Sequence, residues 1–177
     1  MTKCVIIVTY EPELNNLRRL SQCVQDAGFT PVIVDNSLKN QVRRKDVADE
    51  SKIISMGTNA GIAAAQNAGI QYALEAGAEI LGFFDQDSDA DVKLIDQLAE
   101  NLKVHGNCVV APLALEKGTL KEYPVQRLNK IGYPYDVYVK GCTEPEKVDI
   151  VISSGMMTTA GAVSYTHLRA HETLRHL

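Results

Sequence analysis

Short apolar runs alternate with longer amphipathic stretches along the first 111 residues of the chain. The runs at 3–9 and 79–84 are almost continuously apolar, which is typical of strands that are covered on both faces. Shorter runs at 30–35, 52–56 and 107–111 have a similar character. The pattern therefore predicts five strands in this part of the chain.

Three longer helices and one short helix are predicted between these strands. Pro12 suits the first turn of a helix, where its missing N–H costs nothing, and Gly28 suits the end of that helix. The apolar stripe of this helix consists of Leu14, Leu17, Leu20 and Val24. The alanine-rich stretch 60–76 and the stretch 91–104 predict the other two helices, while the polar residues 39–50 predict a short solvated helix.

The order of these elements predicts the fold class. Strands that alternate with helices favour an α/β fold with a mainly parallel sheet and helices on both faces. Such sheets bind ligands beyond the carboxyl ends of their strands. We therefore expect the functional residues of this chain in the loops that follow the strands.

The regular alternation ends after residue 112. Glycine, proline and tyrosine accumulate in 113–147, which predicts hairpins and a binding loop. The apolar run 148–153 predicts one more strand, followed by a turn at 154–156. The chain shows no internal repeat and no linker, and its 177 residues are typical of one domain.

Composition excludes several classes of protein. Hydrophobic residues make up 45% and charged residues 23%, as in globular domains, and the net charge of −4 argues against a protein that holds nucleic acid by its phosphates. No apolar run approaches the ~18 residues of a membrane-spanning helix, and no secretory signal precedes the first strand. The four cysteines lack C-x-x-C spacing, so we expect reduced thiols in a cytoplasmic protein.

The last fourteen residues differ in character from the rest. Three of the four histidines lie in 164–177, and a helix would bring His167 and His171 to one face, but no third metal ligand accompanies them. The stretch resembles the translation of a cloning adaptor that is found fused to unrelated proteins. We therefore expect one domain at 1–163 and a non-native tail at 164–177.

The strongest chemical signal is Asp85-Gln86-Asp87, directly after the most apolar strand. Two carboxylates at an open sheet edge repel each other, and a hard divalent cation with oxygen ligands offsets this repulsion. Mg²⁺ or Mn²⁺ bound by one or two carboxylates typically completes its shell with water and phosphate oxygens. The motif therefore predicts a phosphorylated or nucleotide-linked ligand.

Four other interpretations account for part of this region. Ser88, Asp89 or Asp91 is expected to cap the next helix, but capping leaves Asp85 and Asp87 unexplained. A calcium loop would need glycine where Ala90 stands. A phosphatase of the haloacid-dehalogenase type would use Asp85 as nucleophile, although its motif follows the first strand of the domain. The glycine pattern at 57–62 is similar to that of short-chain dehydrogenases, but no Tyr-x3-Lys accompanies it.

Taken together, the motifs resemble those of family-2 glycosyltransferases with the GT-A (Rossmann-like) fold, and within that family the bacterial rhamnosyltransferases that use dTDP-L-rhamnose. The resemblance extends from about residue 3 to residue 155. The segments that carry it are 8–12, 34–37, 59–70 and 83–88. The Asn-x-Gly-Ile-Ala-x-Ala-x-Asn run and Asp-Gln-Asp-Ser are the parts that indicate rhamnose.

The resemblance implies a nucleoside site at the start of the chain. Thr9, Tyr10 and Glu11 would line the nucleobase pocket, with the Tyr10 ring against the base. Asp35 would bind the base edge or the ribose, whereas its structural alternative is a side chain that stabilises the turn.

The resemblance also implies a diphosphate and metal site. Asn59 and Gly61 would approach the ribose, the sugar or the diphosphate at a helix N-terminus, unless they only cap that helix. Asp85 would contact the ribose or the metal, and Asp87 would bind Mg²⁺ or Mn²⁺.

The implied reaction is an inverting transfer of L-rhamnose from a dTDP-sugar donor to a saccharide or lipid-linked saccharide acceptor in cell-surface polysaccharide assembly. The metal would act as a Lewis acid on the leaving dTDP. The acceptor hydroxyl needs a general base, which the family supplies after a Ser-Gly turn such as Ser154-Gly155. No acidic motif follows here before the tail, and Glu172 is no substitute, so we expect the base outside this chain.

Two alternatives to this function remain open at the sequence level. The chain could bind the nucleotide-sugar without turnover, since the acceptor half is missing, or it could be a phosphotransferase with Asp85 as nucleophile. A lipid-linked acceptor would bring the protein to the inner face of the membrane as a peripheral protein.

Overall fold

The computed structural model describes residues 1–106, 108–115, 119, 121–139 and 145–166. Residues 164–166 are described by their backbone alone. The strands are β1 (Thr2–Thr9), β2 (Thr30–Asp35), β3 (Lys52–Ser55), β4 (Ala78–Asp85), β5 (Val109–Val110), β6 (Val125–Leu128), β7 (Pro134–Val137) and β8 (Met156–Thr159). The helices are α1 (Leu14–Asp26), α2 (Ile62–Glu75), α3 (Val92–His105) and α4 (Ala160–Thr166).

The strands form a six-stranded sheet in the order β3-β2-β1-β4-β8-β5. The first four strands of the chain pair in parallel, and β8 enters antiparallel between β4 and β5. A separate hairpin joins β6 and β7. The predicted mainly parallel sheet is confirmed.

Helices cover both faces of the sheet, as expected. Val5 and Ile7 of β1 belong to a core cluster that includes buried residues of α1 and α3. Cys4 and Ile6 point the other way, into a cluster with buried residues of α2. The alternation of apolar side chains along a two-sided strand explains why β1 is apolar at almost every position.

Helix α1 begins later than predicted. Glu13 caps it by accepting hydrogen bonds from the N–H groups of Asn15 and Asn16, so Pro12 lies before the cap. Leu14 is 37% exposed, because the buried stripe begins one turn into the helix at Leu17. The predicted stripe is therefore wrong at its first position.

The polar stretch 39–50 is not a solvated helix. It contains a single 3-10 turn at Arg44–Asp46, while Val42, Val47 and Ala48 are buried. The three apolar side chains are too few to show a periodic pattern, yet they anchor the segment on the core beside α1.

The last strand of the sheet lies after the predicted turn rather than before it. Within 148–153 the structure has one isolated bridge, between Ile150 and Gln126, and the strand is Met156–Thr159. Gly155 adopts a φ of +80° and donates its N–H to the Phe83 carbonyl at 2.7 Å. The chain thus enters the sheet only after this turn.

The tail prediction falls mostly outside the described residues. Helix α4 runs to Thr166, across the boundary expected at 163, and Val163 is buried. Residues 167–177, with His167 and His171, lie outside the described part, so the tail remains a prediction. Within the described ranges, no helix is long and apolar enough to cross a membrane.

Candidate functional site

The carboxyl ends of the parallel strands meet at one edge of the sheet. Thr9 pairs with Asp35 in the β1–β2 ladder, and Val8 pairs with Asp85 in the β1–β4 ladder. Asp35 also pairs with Ser55, the last residue of β3. This register brings together all the segments that carry the predicted site residues, which are Thr9, Tyr10, Glu11, Asp35, Asn59, Gly61, Asp85 and Asp87.

The loops after β1 and β4 are joined by one side chain. The Tyr10 N–H donates to Oε1 of Gln86 at 2.8 Å, and Nε2 of Gln86 donates to the Tyr10 carbonyl at 3.2 Å. Tyr10 is nevertheless 41% exposed. Its ring is therefore accessible to a ligand while its backbone is held in place.

The loops after β1 and β2 are also joined. The Glu11 N–H donates to Oγ of Ser37 at 2.9 Å, and the Asn36 N–H donates to the Thr9 carbonyl at 2.8 Å. Glu11 has a φ of +45°, a left-handed conformation that is uncommon for a residue with a side chain. Thr9 is fully buried, and its Oγ1 has no hydrogen-bond partner among the described residues.

Asp35 is fully buried and uses both carboxylate oxygens within the protein. Oδ1 accepts from the Ser37 N–H at 3.1 Å, and Oδ2 accepts from the N–H groups of Gln41 at 2.7 Å and Val42 at 3.1 Å. Burial raises the pKa of Asp35, but hydrogen bonds from the Ser37 side chain and from these backbone N–H groups outweigh burial, so the pKa lies below its ordinary value. The carboxylate therefore holds the loop 36–42 in shape.

An amide pair connects β2 to the loop before α2. Nδ2 of Asn36 donates to Oδ1 of Asn59 at 3.0 Å, and Oδ1 of Asn36 accepts from the Ala60 N–H at 2.9 Å. Oδ1 of Asn59 also accepts from the Gly61 N–H at 3.2 Å. Among the described atoms none lies within 4 Å of a Cβ built on Gly61, so its φ of +85° is what requires glycine.

Asp85 and Asp87 occupy the turn that follows β4. Asp85 is half-buried at the end of the strand and Asp87 is exposed. The described part of the chain contains no ion pair that involves either residue. Two carboxylates without a cationic partner fit the oxygen ligands of Mg²⁺ or Mn²⁺.

The other acidic residues of this loop have partners of their own. Asp89 pairs with Arg19 of α1 at 2.9 Å, and Oδ1 of Asp91 caps α3 by accepting from the Leu94 N–H at 2.7 Å. The helix cap at Asp91 is confirmed. Residues 1–106, 108–115, 119, 121–139 and 145–166 hold no cluster of three or more potential metal ligands, so a cation here would need oxygens from water and substrate. This argues against the calcium loop.

The turn before β8 lies beside the acidic turn. Oγ of Ser88 and Oγ of Ser154 are 3.0 Å apart and share a hydrogen bond. A Cβ on Gly155 would lie 2.9 Å from Cγ of Pro112, so only glycine fits there. The Ser154-Gly155 turn is thus attached to the turn that carries Asp85 and Asp87.

Several side chains of this edge link loops in a way that the sequence did not predict. Gln86, Asn36 and Ser37 connect the loops, and Ser88 contacts the turn before β8. The available signal was their position: each is an amide or hydroxyl side chain within four residues after a predicted strand.

Comparison with known proteins identifies relatives of most of this chain. The model of Glycosyl transferase family 2 matches residues 4–159. The chain is 37% identical over 161 residues to the dTDP-rhamnosyl transferase RfbF of Shigella flexneri, a match that covers 87% of this chain and 52% of that protein. The chain therefore spans about half the length of this relative.

Solved structures share the fold. The structure of residues 1–349 of S. aureus TarS matches with a TM-score of 0.59 and 16% identity, and covers 94% of this chain and 49% of that chain. The same fragment in complex with UDP-GlcNAc matches with a TM-score of 0.52 and 22% identity, and covers 67% and 36% of the two chains. At these identities the likeness concerns the fold alone.

Proposed function

The chain belongs to glycosyl transferase family 2, and from this premise we propose that it forms the donor-binding part of an enzyme that transfers L-rhamnose from dTDP-L-rhamnose. The observation that carries the proposal is the acidic turn at the end of β4, held directly beside the loop that presents Tyr10. The relative RfbF, a dTDP-rhamnosyl transferase, supports the choice of nucleotide and sugar.

The nucleoside is proposed to bind at the loop after β1. The half-exposed ring of Tyr10 offers a face on which thymine can stack, and Thr9 and Glu11 flank it. Asp35 contributes through the loop 36–42, whose backbone it holds by three hydrogen bonds. This arrangement uses the turn-stabilising alternative for Asp35, and a direct contact of its carboxylate with the base edge or the ribose stays a prediction.

The ribose and the diphosphate are proposed to lie towards α2. Gly61 precedes the helix, where unpaired backbone N–H groups and the helix dipole favour an anion. Asn59 is positioned there by Asn36. Exposed Asn59 and Gly61 leave room for the phosphates and the sugar.

A divalent cation is proposed at the acidic turn. Asp87, with Asp85, would hold Mg²⁺ or Mn²⁺, and the two carboxylates fit this role because ion pairs do not neutralise them in the described part of the chain. When bound, the cation offsets the charge that develops on the departing nucleoside diphosphate. Asp85 at the strand end is the less exposed of the two, and its proposed contact is the ribose or the metal.

The acceptor is proposed to be a saccharide or lipid-linked saccharide of a cell-surface polysaccharide. Its hydroxyl attacks the anomeric carbon from the side opposite the leaving dTDP, which inverts the configuration. A general base must take the proton of that hydroxyl, and we assign no residue of this chain to that role. We place the reaction in the cytoplasm, with peripheral contact to the inner face of the membrane when the acceptor is lipid-linked.

Thermal unfolding with ligands tests the proposal. dTDP with Mg²⁺ or Mn²⁺, at about 100 times its dissociation constant, should stabilise the chain by about 2.7 kcal/mol, and EDTA should reduce the effect. Stabilisation by UDP but not by dTDP would show that the donor nucleotide is UDP rather than dTDP. A cooperative melt that no nucleoside diphosphate shifts would overturn the proposed site.

A second candidate function is donor binding without transfer, which we keep because we assign no residue of this chain to the general base. A coupled assay of dTDP release from dTDP-L-rhamnose, with and without a rhamnose-accepting oligosaccharide, separates the two. Binding in the melt without any release of dTDP supports the second candidate for this chain.

A further inference from the structure

Gln86, the residue between the two carboxylates, makes both of its hydrogen bonds to the backbone of one distant residue. Its Oε1 accepts from the Tyr10 N–H at 2.8 Å, and its Nε2 donates to the Tyr10 carbonyl at 3.2 Å. A side-chain amide has the same donor and acceptor as a peptide group. Gln86 therefore pairs with Tyr10 as a residue of a neighbouring strand would.

The pair of Gln86 and Tyr10 lies just beyond the end of the β1–β4 ladder. The β1–β4 ladder ends at the pair of Val8 and Asp85, and beyond this pair the two strands continue into different loops. The side chain of Gln86 extends the connection past the last backbone pair. On its other side, the loop after β1 is held by the hydrogen bond from Glu11 to Ser37.

We propose that Gln86 is a positioning residue that sets the distance between the nucleobase end and the metal end of the donor site. This inference rests on the proposed function, in which Tyr10 contacts the base and Asp87 binds the cation on the diphosphate. Because one nucleoside diphosphate spans both ends, loops already held at the correct distance lose less conformational freedom when it binds. Base binding and metal binding then reinforce each other through Gln86.

The chemistry of the pair requires glutamine. Glutamate keeps the acceptor for the Tyr10 N–H but places a second oxygen against the Tyr10 carbonyl and adds charge between Asp85 and Asp87. Asparagine is one methylene shorter and cannot reach both backbone atoms from the same position. Alanine removes both hydrogen bonds and leaves the carboxylates in place.

The test is calorimetric titration of the full 177-residue chain with dTDP, in Mg²⁺ and in EDTA, for wild type, Gln86→Ala and Gln86→Glu. Gln97→Ala is the matched control, since Gln97 is exposed on α3. We expect Gln86→Ala to lose about tenfold in affinity for dTDP with Mg²⁺, and no more than about twofold in EDTA. Gln86→Glu should behave like Gln86→Ala, and Gln97→Ala like the wild type.

The outcomes separate the inference from the function on which it rests. An equal loss of affinity with and without Mg²⁺, or no loss, overturns the positioning role while wild-type binding leaves the proposed function intact. A wild-type chain that binds neither dTDP nor UDP overturns the proposed function, and the role of Gln86 fails with it.

Hydrogen exchange gives a readout that needs no ligand. The Tyr10 amide should be protected in the unliganded wild type and should exchange at least about tenfold faster in Gln86→Ala, while amides of the β1 interior keep their protection. Unchanged exchange at Tyr10 would overturn the inference whatever the binding data show. Loss of protection throughout β1 would also overturn it, because Gln86 would then be needed for the strand as a whole and not only for the position of the loop.

Discussion

Asp35 illustrates how a single buried carboxylate organises this edge of the sheet. It accepts hydrogen bonds from the backbone N–H groups of Ser37, Gln41 and Val42. Substitution by asparagine replaces one acceptor oxygen with a donor that faces an N–H group. We expect Asp35→Asn to lower the free energy of unfolding at pH 7 by about 1–3 kcal/mol in urea titrations, and the exposed control Asp49→Asn to have little effect.

The same residue predicts a pH dependence. Burial raises the pKa of Asp35, but its hydrogen bonds outweigh burial, so the folded pKa lies below the ordinary value of 3.8. A carboxyl whose pKa is lowered by folding contributes its full stability above the unfolded value and loses it as the pH falls through the folded value. The difference in stability between wild type and Asp35→Asn should therefore be constant at pH 5–7 and shrink below about pH 3.8. A difference that grew on acidification would contradict this assignment.

Asp87 and Asp89 are two residues apart but differ in their surroundings. Asp89 has a cationic partner in Arg19, whereas no described ion pair involves Asp87. We expect Asp87→Asn to abolish the Mg²⁺-dependent part of the thermal stabilisation by dTDP. Asp89→Asn should retain it, with at most about 1 kcal/mol lost from the exposed ion pair. Equal effects of the two substitutions would show that charge at the loop, rather than the ligand position, determines binding.

At the scale of the elements, α2 packs on the sheet through a glycine. A Cβ built on Gly69 would lie 2.6 Å from Cγ2 of Ile6 and 3.2 Å from Cγ2 of Val34. Alanine has the higher helix propensity by about 1 kcal/mol, but here it would force the helix away from β1 and β2. We expect Gly69→Ala to destabilise the fold by about 1–3 kcal/mol in urea unfolding.

A helix substitution without this contact provides the control. Asn67 is exposed on the same helix, and Asn67→Ala should stabilise the chain slightly because alanine is the better helix former. If Gly69→Ala were also stabilising, the close approach of α2 to the sheet would be wrong.

Most elements were predictable from local patterns, and strand β8 is an exception with a clear cause. The strand β2 was predicted with its observed ends, and β1, β3 and β4 within about two residues, because continuous apolar runs record burial on two faces. Strand β8 was misplaced to 148–153, a run that is as apolar as a strand. Residues 156–159, rather than 148–153, form the strand because the chain comes beside β4 only after the turn at Gly155.

At the scale of the whole molecule, β8 and α4 complete the sheet. Met157 of β8 and Val163 of α4 are buried in different core clusters, so this segment closes both faces beside β4. We expect a chain that ends at residue 155 to lose cooperative thermal unfolding. A chain that ends at residue 166 keeps both elements, and the prediction of a non-native tail implies that it melts like the full chain.

Circular dichroism of the two shortened chains measures this. A cooperative melt of the chain that ends at 155 would mean that the parallel strands fold without their antiparallel neighbour. A marked drop in melting temperature for the chain that ends at 166 would contradict the expected tail.

The sequence by itself determined the α/β class, the family resemblance and the set of loops that carry the chemistry, because apolar periodicity and strand-end motifs are local properties. The tertiary structure decided which residues of these loops form hydrogen bonds with one another. The carboxylate of Asp35 is used by its own loop, Asn36 positions Asn59, and Gln86 joins Tyr10 across 76 positions of the chain. A hydrogen bond between distant residues depends on which strands lie side by side and in which register, and no local pattern contains that information.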